Sequence, residues 1–138
     1  MSAWGMHAFE NDDAQDLVDQ ILDGTFRLEE RRGTFRSEED GYIDAASGAE
    51  LIALGAVVRV AQDAASPAAP ALHEIAGTDE LDLEDFLAQF TDEDLQTLRE
   101  LIGVTVHDPA ASELYELWNE AGEREEWARV SQEEGLPG

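Results

Sequence analysis

Between Ala49 and about Ala64 the chain is apolar nearly all round, broken only by Glu50, Arg59, Gln62 and Asp63. A helix with so little polar face has to be covered on every side, so it belongs in the middle of a helical protein. Ser47 followed by Glu50 has the spacing of a capping box and sets the expected start of that helix. Its small residues, Ala49, Ala53, Gly55, Ala56 and Ala61, let neighbours approach closely. The rest of the chain must supply those neighbours.

Several stretches have the right period. Ala14, Leu17, Val18, Ile21 and Leu22 form one apolar stripe, predicting a helix from about Asp12 to Asp23, capped by Asn11 or Asp12 and stopped by Gly24. Thr91 followed by Asp92, Glu93 and Asp94 starts another helix, whose buried face is Leu95, Leu98, Leu101 and Ile102, running to about Val106. Asp108-Pro109 reads as the start of the last helix, with a stripe of Ala110, Leu114, Leu117, Trp118 and Ala121 that Trp127 and Val130 extend past Gly122. Ser66-Pro67-Ala68-Ala69-Pro70 reads as a linker over residues 65–72, because prolines break helix interiors. From Thr25 to Gly41 only a short amphipathic helix over Phe26 to Arg32 suggests itself, and Leu83 to Phe90 adds one or two turns.

Ahead of the first helix, an irregular arm over residues 1–11 carries Trp4 and Phe9, which are expected to pack on the core. The expectation is therefore an all-α, single-domain helical bundle of about four main helices over residues 1–138, with residues 133–138 a fraying tail. At 138 residues such a domain buries about two thirds of its unfolded surface.

The opening Trp4-Gly5 and Phe9-Glu10-Asn11-Asp12-Asp13-Ala14 resembles the start of bacterial proteins of the domain-of-unknown-function 4259 family. The similarity continues at Tyr42-Ile43 ahead of the Ala-rich helix, and at Ser112-Glu113-Leu114-Tyr115-Glu116-Leu117-Trp118 followed by Trp127. It departs most over Phe26 to Asp40, where a polar Arg/Glu run replaces an apolar helical stretch. The resemblance implies a small, mostly helical bacterial domain and no activity, so no catalytic residue is carried over.

Charge narrows the function classes. Thirty-three acids face eight basic residues, all of them Arg, for a net charge of −25. Direct nucleic-acid binding would work against that field. With no cysteine, disulfides, zinc-thiolate sites and cysteine nucleophiles are excluded. His7, His73 and His107 lack a glutamate three residues before them, and Asp79-Glu80-Leu81-Asp82-Leu83-Glu84 lacks the glycine of a calcium loop. The serines sit in caps, linkers and termini, without a nucleophile elbow. No catalytic, cofactor or metal site is nominated, and no cofactor is expected. The chain opens without a secretory pattern, and its longest apolar run, Leu51 to Ala61, is short of a membrane span, so the expectation is a cytoplasmic protein without membrane contact.

Two functional readings remain. In the first, acidic helix faces bind a basic protein, as an inhibitor or immunity-type partner does; the residues are Asp12, Asp16, Asp19 and Asp23 on the first helix and Glu113, Glu116 and Glu120 on the last. In the second, Trp4, Tyr42, Trp118 and buried carboxylates form a small-ligand or hydrolytic cleft between helices. Plain solubility is the alternative to both.

Overall fold

The structure is a computed structural model, and it describes Phe9 and residues 12–31, 41–63, 65–76 and 83–135. Among those residues it is all-helical, with eight helices and a single isolated β-bridge between Ile43 and Ser112. They are α1 (Asp12–Asp23), α2 (Leu28–Arg31), α3 (Ala45–Gln62), α4 (Ala69–Ala76), α5 (Leu83–Ala88), α6 (Asp92–His107), α7 (Glu113–Glu120) and α8 (Arg124–Glu134).

The apolar stretch is the centre. Eleven of the eighteen residues of α3 are buried, and α1, α5, α6, α7 and α8 all pack against it. By length and composition α3 could cross a membrane, but here other helices cover it, which is the place of a core helix. Phe9 is buried in the same core and its carbonyl accepts from the Gln15 side chain. Trp4 lies outside the described residues, as do residues 32–40 and the Asp79 to Asp82 segment.

Several boundaries differ from the sequence expectation, each for a local reason. The cap of α3 is Asp44, whose side chain accepts from Ser47 N at 2.8 Å, and not Ser47. The helix gains an early turn because the chain before it is pinned. Ile43 N donates to Ala111 O at 2.7 Å, and Ile43 O accepts from Glu113 N at 3.0 Å. The proline-rich linker is shorter than expected, because α4 starts at Ala69 and keeps Pro70 in its first turn, where no backbone donor is needed.

Where about four main helices are expected, the described residues form eight, partly because the last expected helix is two. Asp108 closes α6 instead of opening the next helix, and Ser112 caps α7. Gly122, at φ 77°, then turns the chain in the left-handed region and separates α7 from α8. The shortened α7 buries only Leu114 and Trp118; Ala110, Leu117 and Ala121 of the expected stripe are exposed. At the other end, the beginning of the expected tail is docked: Glu134 and Gly135 are buried, and the Arg59 guanidinium donates to Glu133 O and Gly135 O.

Elsewhere the local reading matches. Gly24, at φ 74°, ends α1. Thr91 and Asp94 form a reciprocal capping box at the start of α6.

Candidate functional site

Around the first turn of α3 the fold gathers acids from three helices. Asp44 caps the helix itself. Glu113 of α7 reaches across, and its Oε1 accepts from Ala45 N at 2.7 Å. Asp13 of α1 is half-buried beside them, and burial, followed by the charges of Asp16, Asp12 and Asp44, raises its carboxyl above the ordinary 3.8. The unsatisfied amides and positive dipole end of a long helix give Asp44 and Glu113 a structural use.

That use divides the seven acids singled out from the sequence. Glu113 is a cap, and Glu116 Oε2 accepts from the Tyr42 hydroxyl at 3.3 Å. Both therefore hold the strand-like segment before α3 against α7. Glu120 is exposed. By contrast, Asp12, Asp16, Asp19 and Asp23 are all exposed on α1, opposite its buried Ala14, Leu17, Val18 and Ile21. Among the described residues none of these four aspartates has an ion-pair or hydrogen-bond partner. Asp23 also sits at the negative end of the helix dipole, and the last turn of α1 has no basic residue to offset it.

Of the aromatic residues expected in a cleft, Trp4 lies outside the described residues, and Trp118 and Tyr42 have contacts of their own. Trp118 and Trp127 are buried and stacked on each other, with centroids 6.1 Å apart and planes at 12°, and they join α7 to α8. Arg124 lies over the Tyr115 ring at 5.0 Å and adds a cation–π contact to that joint. Tyr42 is occupied by Glu116.

A cleft does exist, but at the far end of α1. About 260 Å³ opens between Ile21 and Leu22 of α1, Phe26 and Arg27 beyond it, and Phe86 of α5. Phe26 and Phe86 meet at 5.4 Å, and Phe86 meets Phe90 at 5.2 Å. Gln89 ties the two sides: its Oε1 accepts from Leu28 N at 2.8 Å and its Nε2 donates to Phe26 O. Sixty residues separate Phe26 from Phe86, so no local period announces the pairing.

As for metals, the described residues contain no group of three or more His, Asp or Glu side chains placed to hold an ion. His107 Nε2 lies 2.7 Å from Gln132 Nε2 at the α6–α8 contact, and His73 is exposed on α4.

A family model described as a domain of unknown function, DUF4259, matches residues 2–130. The chain belongs to the DUF4259 family. The match takes in α1 to α7 and the first part of α8, leaving the Arg59-bound end of α8 beyond it. Neither the curated proteins nor the solved structures gave a match to this DUF4259 chain. The family description names no reaction, so any function has to be argued from the residues themselves.

Proposed function

We propose that this DUF4259 chain is a non-enzymatic interaction module, of inhibitor or immunity type, that binds a basic protein through the outer face of α1. The observation that carries the reading is the unspent stripe of Asp12, Asp16, Asp19 and Asp23. Like charges at helical spacing weaken their own helix, and Asp23 opposes the dipole as well. A stripe that costs α1 stability has its return in what approaches from outside. The net charge of −25 adds a long-range attraction for a basic surface, which speeds encounter and makes binding sensitive to salt.

The test is affinity capture at low salt with the intact chain and with a variant carrying Asn at all four α1 positions. The reading expects a basic protein retained by the intact chain, eluted by salt and lost from the variant. Retention of nothing basic, or retention that ignores salt or the four substitutions, rejects it.

A further inference from the structure

We propose that the cleft between the end of α1 and α5 binds a small monocarboxylate with an apolar or aromatic tail. The inference stands apart from the basic-partner reading, because it concerns a different surface and a ligand of opposite charge.

Arg27 carries it. Its Nη1 donates to Gly24 O and to Phe26 O, both at 2.8 Å, so two backbone carbonyls of the turn after α1 hold the guanidinium in place on the cleft wall. Nη2 and Nε keep their hydrogens. Among the described residues no carboxylate pairs with this guanidinium, although the chain has thirty-three acids for eight arginines. A fixed planar fork of donors matches a carboxylate, and holding it in advance lowers the entropy lost on binding.

The rest of the cleft sets the remainder of the ligand. Ile21, Leu22, Phe26 and Phe86 line the cleft with apolar atoms, and because both phenyl rings are largely buried against each other the apolar strip is narrow, which suits a slender tail. Gln89 is spent on Phe26 and Leu28 and acts as wall, not as contact. Asp85 also lines the cleft, and its carboxyl disfavours a ligand that brings more than one negative group. The volume, about 260 Å³, is below the range for drug-sized ligands, so the occupant is small.

The test uses the full chain, labelled with ¹⁵N, at about 0.15 M salt, where the overall negative field is screened beyond about 8 Å. Phenylacetate and hexanoate are the carboxylate probes, and phenethylamine is the probe of opposite charge. The expected result is a saturable set of shifts at Gly24 to Leu28 and the Gln89 side-chain amide with one or both carboxylates. Binding of the amine should be weaker by about tenfold or more, and Arg27→Gln should weaken carboxylate binding by a similar factor. Absence of saturable shifts with both carboxylates, amine binding as tight as theirs, or unchanged binding to the Gln variant overturns the proposal. If Arg27→Gln unfolds the chain, the comparison of probe charges on the unaltered protein decides it alone.

Discussion

Glu113 Oε1 accepts the amide hydrogen of Ala45 at 2.7 Å, so an acid at the start of α7 serves the first turn of α3. The backbone supports the same joint, since Ile43 is bonded on both sides to Ala111 and Glu113. A residue that looks like part of a charged surface stripe is therefore part of the framework.

Replacing it should be felt in stability. A charge-assisted bond to a part-buried helix amide is worth about 1–2 kcal/mol, with the orphaned Ala45 donor adding to the loss. Glu113→Ala should lower the urea midpoint accordingly, and Glu113→Gln should recover part of it. Glu120→Ala, on the exposed part of the same helix, should leave the midpoint unchanged. Equal effects at 113 and 120 would remove the distinction between cap and surface.

The contrast between those two glutamates shows what the sequence can and cannot disclose. Period and caps act within a few residues, so the α1 stripe, the stop at Gly24, the Thr91 cap and the burial of α3 are all legible. Which of two competent caps wins is a tertiary matter. Asp44 prevails over Ser47 because Ala111 and Glu113, nearly seventy residues later, fix the chain in front of it. Leu117 continues an apolar stripe on paper, yet it is 39% exposed because Asp108 and Ser112 delay the start of α7 and Gly122 ends it early. The cleft was the least legible feature, since Arg27 gains its meaning only from Gly24, Phe26 and a distant Phe86.

Gly48 marks a close approach of α3 to α6 and α7. A Cβ placed there would stand 2.9 Å from Leu114 Cδ1 and 3.1 Å from Thr105 Cγ2. Leu114 is buried and has little room to turn away. Gly48→Val should cost about 1–3 kcal/mol by overpacking, despite better helix propensity than glycine. Combining Gly48→Ala with Leu114→Ala should destabilise by less than the sum of the single changes, because each relieves the other. Additive losses in a double-mutant cycle would mean the two sites do not share space.

Arg59 joins the centre of the fold to its last helix through Glu133 O and Gly135 O. Arg59→Met keeps most of the side-chain length and removes both donors. Amide exchange should accelerate in residues 131–135, with little change in α6. Uniform acceleration throughout the chain would show that the end of α8 does not open independently.

Asp13 gives the fold a pH dependence of unusual sign for an acid. Its carboxyl is raised from 3.8 by burial first and then by Asp16, Asp12 and Asp44. Below 3.8 it is protonated whether the chain is folded or not, and its contribution to stability is fully present. As the pH rises above 3.8 the unfolded chain loses this proton first, so stability falls until Asp13 ionises in the folded state as well. The favourable dipole at the start of α1 works the other way, against the burial and neighbouring charge that raise the carboxyl. Asp13→Asn should therefore match the intact chain near pH 3 and melt at a higher temperature at pH 7, with the gap narrowing as salt screens the three neighbours. A variant that melts lower at pH 7 would mean that the dipole, and not the crowding of acids, governs this position.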